Sequence, residues 1–179
     1  LPYCPTAFSK NVSIPLHSDY DWQWRIGSKF HEDIMTIRAV VWGENIHERT
    51  NEVVAALYPE GMHTTIAKAL NADKAISAST ATLEQPEHGL PADRLAETDV
   101  LVWWGHARHD EISADQAKDI VARVKRGQLA LIALHSAHWS RPFVEAMHER
   151  TRDDARRRYP DPPGGPPVKF EFIAPEGRF

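Results

Sequence analysis

The chain has 179 residues, 42% hydrophobic and 26% charged, and carries a net charge of −4. That length suits one domain with its own core, and the acidic balance gives no general attraction to nucleic acid or to an anionic membrane. No apolar run approaches a membrane span, the lone Cys4 excludes an internal disulfide framework and a cysteine-rich zinc knuckle, and no secretory signal is legible; a cytoplasmic protein is the default expectation.

Residues 1–34 mix Pro, Ser, His and aromatics without a period, and Tyr20, Trp22, Trp24 and Phe30 are candidates for an aromatic clasp over the domain. Clean patterning begins at Met35. That methionine is read as the natural start, with 1–34 an extension and 35–179 the domain. Peptides from before Met35 in natively expressed protein would refute this reading.

From there strands and helices alternate. Residues 37–42 read as a buried strand, and Asn51 or Thr50 can cap a helix over 52–57 that is interrupted at Pro59-Glu60-Gly61 and resumes over 62–70. Residues 75–80 are a weaker strand, 84–89 a loop, and 91–97 a short helix with Pro in its first turn. Residues 99–104 are apolar throughout, as a strand covered on both faces should be. Ser113 opens a helix with an apolar stripe of Ala117, Ile120, Val121 and Val124, closed at Gly127. Residues 129–134 form the fourth strand, and a further helix follows Trp139-Ser140-Arg141-Pro142. The Pro/Gly-rich segment 160–167 cannot be helix or central strand, and 168–173 is expected to be an edge-like strand. Such β-α alternation implies an α/β fold: a doubly wound parallel sheet with right-handed crossovers. A sheet of four or five strands would leave an edge that favours homo-oligomer formation.

Three strand ends lead into polar residues: Glu44 and His47 after the first, His106, His109, Asp110 and Glu111 after the third, His135, Ser136 and His138 after the fourth. Ligands of doubly wound sheets bind outside the carboxyl ends of the strands, at the switch in strand order. With the order 2-1-3-4 these loops share one rim. The two His-x-x-His spacings make His106, His109, His135 and His138 candidate ligands of a divalent metal, zinc or another first-row ion. Backbone hydrogen bonding at strand ends explains any one of these histidines equally well. Ser136 stands where a nucleophile elbow would, without the elbow's glycines, so a helix-capping or supporting donor role competes with nucleophilic attack. Trp42, Trp103, Trp104 and Trp139 could form a sugar platform or core. The arginine run over 150–158 reads as a solvated helix face. No dinucleotide fingerprint, P-loop or Cys-x-x-Cys is present, so no nucleotide cofactor is expected.

The stretch from Ile37 to about Met147 resembles the ThuA-like (trehalose utilisation) family. The resemblance rests on Val41-Trp42 leading into Glu44 and His47-Glu48, on Tyr58-Pro59-Glu60-Gly61-Met62-His63, and on Ala81-Thr82-Leu83 with Pro86-Glu87-His88-Gly89-Leu90. It continues through Thr98-Asp99-Val100-Leu101-Val102-Trp103-Trp104-Gly105-His106, His109-Asp110-Glu111 and Leu134-His135-Ser136-Ala137-His138. It implies the flavodoxin-like frame of the class I glutamine amidotransferase-like superfamily. It also implies a role in breaking down trehalose and related disaccharides, and later strands with a Gly-His-Glu segment that this chain lacks, so that it reads as a C-terminally truncated member. The turn that carries Cys in amidotransferases is His135-Ser136-Ala137-His138 here, so amidotransferase chemistry is not implied.

Three functions follow as expectations. The leading one is a metal-assisted enzyme isomerising a keto-sugar or keto-glycoside. In it a histidine-held metal polarises a carbonyl, Glu44, Asp110 or Glu111 moves a proton, and Glu48 orients His47. The others are a non-catalytic sugar-binding or regulatory subunit and a Ser136-dependent hydrolase.

Overall fold

The structure is a computed structural model, and it describes residues 36–171. The aromatic clasp of Tyr20, Trp22, Trp24 and Phe30 and the reading of Met35 as a start lie outside the described residues. So does the end of the expected strand over 168–173.

The elements run β1 (Ile37–Gly43), α1 (His47–Thr50), α2 (Glu52–Leu57), α3 (Met62–Leu70), β2 (Ile76–Thr82), α4 (Ala92–Ala96), β3 (Val100–Trp104), α5 (Ala114–Lys125), β4 (Ala130–Leu134) and α6 (Arg141–Arg158). Single 3-10 turns follow β2 (Pro86–Gly89) and β4 (His135–Trp139). The sheet has the order β2-β1-β3-β4, and every pairing is parallel. This is an α/β fold with a parallel sheet flanked by helices, in the strand order expected from the sequence. No helix among the described residues is long and apolar enough to cross a membrane.

Local chemistry explains the boundaries. Asn51, not Thr50, separates α1 from α2: its extended backbone breaks the helix, and its side-chain oxygen accepts from the amides of Val53 and Val54. Ser113 caps α5 through the amide of Gln116, and Gly127 closes the following turn with φ +69°. Ser140 caps α6, with Pro142 in the first turn, where a missing N–H costs nothing. The expected strand beginning at Val168 is not formed: through Glu171 the backbone is irregular, and the Val168 amide donates to the Asp161 carboxylate at 2.7 Å. The prolines that precede it remove donors and fix φ, which favours this local turn over a fifth strand.

The core lies mainly on one face of the sheet. Trp42 and Trp103 are register partners on β1 and β3, both fully buried, with rings stacked at 4.0 Å. Leu83, Leu90, Leu95, Leu101, Ile112 and Ile120 pack around them. On the other face Val41 and Val102 meet α3 through Ala67, Ile66 and Leu70. The amino rim is pinned by Asp99, whose carboxylate accepts from the Arg38 amide and guanidinium, both at 2.8 Å.

Candidate functional site

The carboxyl rim is assembled from the loops after all four strands. Among the described residues five non-glycine positions have left-handed backbones: Asn45, Glu87, His88, Arg108 and His135. Every one lies in a rim loop, at least one after each strand. Such conformations cost energy and persist only where the surroundings over-determine them, and they gather at functional sites. One has an evident structural return. The left-handed turn at Glu87–His88 brings the His88 carbonyl to 3.0 Å from the Trp42 indole N–H, while the His88 ring donates to the Leu83 carbonyl.

Glu44 holds the rim together. Its side chain is 1% exposed, and both carboxylate oxygens accept from the His106 amide, at 2.9 and 3.0 Å. The bond ties the loop after β1 to the loop after β3, across the switch point. Gly105 is required for it, because a Cβ there would stand 2.7 Å from Glu44 Oε2. His47 Nδ1 approaches Glu44 Oε1 to 3.4 Å, without hydrogen-bond geometry. Buried under these partners, Glu44 positions the loops; the groups free to meet a ligand are the imidazoles beside it.

The rings of His47 and His106 stand 5.4 Å apart and those of His106 and His135 4.8 Å apart, both edge-on. Trp104 flanks this row, 5.1 Å from His106 and 5.6 Å from His135. Trp104 at the end of β3 and side chains from the segments after β1, β3 and β4 therefore form one continuous aromatic and imidazole surface. His135 Nδ1 lies 2.8 Å from Ser136 Oγ, which fixes the ring and leaves Nε2 free. His138 donates from Nδ1 to the His135 carbonyl at 3.1 Å, and its ring packs on Trp139 at 5.1 Å. Of the four tryptophans at strand ends, Trp42 and Trp103 are core, while Trp104 and Trp139 belong to the rim.

His109 is different. Both its ring nitrogens are buried and unpartnered, and its Cε1 lies 3.3 Å from where a Gly105 Cβ would be. Burial pushes its pKa down; Glu44 and Asp110 oppose this, and His106 and His138 reinforce it. Burial thus favours the neutral form of this imidazole. Asp110 is exposed beside it. Glu111 is held well below the usual carboxylate range by the Arg108 guanidinium, which also pairs with Glu84 at 2.5 Å. Glu48 does not orient His47 as expected: its carboxylate accepts from the Met62 amide at 2.8 Å and caps α3.

The four candidate metal ligands stand in different surroundings. Among the described residues no three His, Cys, Asp or Glu donors are gathered as a group able to hold a metal ion. Both ring nitrogens of His109 are buried and unpartnered, and His138 donates from Nδ1 to a carbonyl, which leaves its Nε2 available.

Sequence reasoning missed His63. It is buried at the start of α3, against the backbone of Gly43, with Nδ1 unpartnered, and burial outweighs nearby Glu48 in pushing its pKa down. The Gly61-Met62-His63 run held the signal: with Gly61 at φ +89°, a Cβ there would meet the His63 ring at 2.3 Å. No protein-family model matches the chain, and no curated protein matches it.

Proposed function

We propose that the chain is a sugar-catabolism protein of the ThuA-like, trehalose-utilisation type on a flavodoxin-like, class I glutamine amidotransferase-like frame, and that its rim catalyses proton transfer on a keto-sugar or keto-glycoside. The observation that carries the reading is the continuous His47–His106–His135 row beside Trp104, set on three loops that each carry a left-handed residue, around the switch point. Imidazoles are suited to acid–base work near neutrality, and Trp104 offers an apolar surface to the less polar face of a sugar ring.

In this reading one imidazole takes the proton from the carbon beside the carbonyl. The electron pair moves into the carbonyl, whose oxygen takes a proton from the neighbouring imidazole, giving an enediol; the reverse steps at the adjacent carbon complete an isomerisation. His135, with Nε2 free, and His106, 4.8 Å away ring to ring, are the catalytic pair. Glu44 holds the loop that carries His106. No step is routed through a metal. Positioned acid–base groups of this kind contribute about 10²–10⁴-fold.

The test is deuterium exchange from solvent into 3-keto-trehalose, followed by NMR with and without added zinc and with chelator. Exchange that falls by about 10²-fold or more in His135→Asn supports the reading. Saturable binding without exchange would replace it with the binding-subunit reading. Phosphonate labelling of Ser136, which sits against an imidazole at 2.8 Å, would replace it with the hydrolase.

A further inference from the structure

Beside the imidazole row is a hollow of about 240 Å³ lined by Asn45, Ile46, Arg49, Thr50, Glu84 and Arg108. It joins the loops after β1, β2 and β3. Along the chain it adjoins the row at Ile46, the neighbour of His47, while Asn45 follows Glu44 and Arg108 stands two residues after His106. Asn45 and Arg108, two of the five left-handed residues, both line it.

We propose that this hollow is a subsite for a neutral sugar ring, the non-reacting unit of a disaccharide whose other unit lies on the imidazole row. The inference rests on the sugar reading above and adds to it where the second ring goes.

The wall chemistry supports a polyol rather than an anion. Arg108 is already matched by Glu84 and Glu111, so that with Arg49 the hollow and its immediate support hold two cations and two carboxylates. Guanidinium N–H groups and carboxylate oxygens side by side suit hydroxyls, each of which donates and accepts at once. Thr50 Oγ1 donates to the Ile46 carbonyl at 2.9 Å and can only accept from a ligand, so Arg49, Glu84 and Asn45 are the main groups to read the ring, with Ile46 as the apolar wall. Among the described residues no carboxylate pairs with Arg49. The volume lies below the range of about 300–1,000 Å³ typical of sites for larger ligands, which suits one ring and not two.

The test is an NMR titration of the full chain with trehalose, glucose and inorganic phosphate. Arg49→Ala and Glu84→Gln should each weaken trehalose by about tenfold or more and glucose by less than about threefold, because only the disaccharide fills both places. His135→Asn should weaken both sugars. Arg49 forms no ion pair among the described residues, so its variant reports on the hollow even if loss of the Glu84–Arg108 pair loosens the loop. Trehalose affinity unchanged in both variants, with His135→Asn still weakening it, would overturn the subsite and leave the sugar reading standing. Phosphate displacing trehalose from the hollow would make it an anion site instead. A wild-type chain that binds neither sugar would overturn both.

Discussion

At the scale of single residues, the rim depends on a few buried polar groups that have one arrangement open to them. Glu44 is the main one. Glu44→Ala would leave the part-buried His106 amide without its acceptor, at a cost of about 1 kcal/mol, and Glu44→Gln should retain most of the stability because its amide oxygen still accepts. Urea unfolding curves measure the difference. If Glu44 positions rather than reacts, Glu44→Gln should also keep far more exchange activity than His135→Asn. His63 gives a pH prediction. Burial lowers its folded pKa, so below its ordinary value of about 6.5 the unfolded chain binds more protons than the folded one. Stability should therefore fall as pH drops from 7 toward 5, and His63→Gln should flatten that slope in thermal melts at matched pH. A slope unchanged by the substitution would remove His63 as its source. Trp42 shows how much of this scale is readable in advance. An aromatic ending an apolar strand is compatible with core or platform, and only its register pairing with Trp103 decides for core.

The elements are held mainly by capping and by edge control. Asn51 accepts two amides at the head of α2, so Asn51→Ala should cost about 1 kcal/mol, read as a lower urea midpoint at constant slope. The two sheet edges are treated differently. The outer edge of β2 is occupied by side chains: the Asn71 amide pairs with both N–H and C=O of Ala78, at 2.7 and 2.9 Å, and Arg94 donates to the Thr80 carbonyl at 2.8 Å. Among the described residues no strand pairs with the outer edge of β4, where Ile132 is 48% exposed. Hydrogen exchange should find Ala78 protected although it lies on an edge strand, while alternate amides of β4 exchange early. Equal protection on both edges would contradict this. α6 was legible as a helix from its Ser-x-Pro start. Its length to Arg158 is supported by i,i+3 and i,i+4 ion pairs such as the exposed Arg150–Asp154 and the part-buried Arg152–Glu149, each individually weak.

At the scale of the whole molecule, what the sequence settled by itself was the class of fold. Period-2 and period-3.6 patterning is local, so strand and helix identity and the β-α alternation follow from neighbours along the chain. Handedness and crossover rules then narrow alternation to a parallel sheet, and the order 2-1-3-4 placed three polar loops on one rim. Distances between those loops are not local quantities. The row of His47, His106 and His135 depends on strand register, on the left-handed turn at His135, and on a glycine at 105 that lets Glu44 reach the His106 amide. The His-x-x-His spacing leaves the surroundings of each histidine open: the ring nitrogens of His109 are buried while His138 is exposed and donates to a carbonyl, because a loop, unlike a helix, sets no common face for i and i+3. The tail is expected to be an edge-like strand over 168–173; the Asp161 carboxylate that takes the Val168 amide is a competitor visible only in three dimensions. Composition and pattern determined which elements form. Which side chains meet, which carboxylate is buried and which imidazole stays free were decided by tertiary packing, since each depends on contacts between residues about sixty positions apart, such as Glu44 and His106.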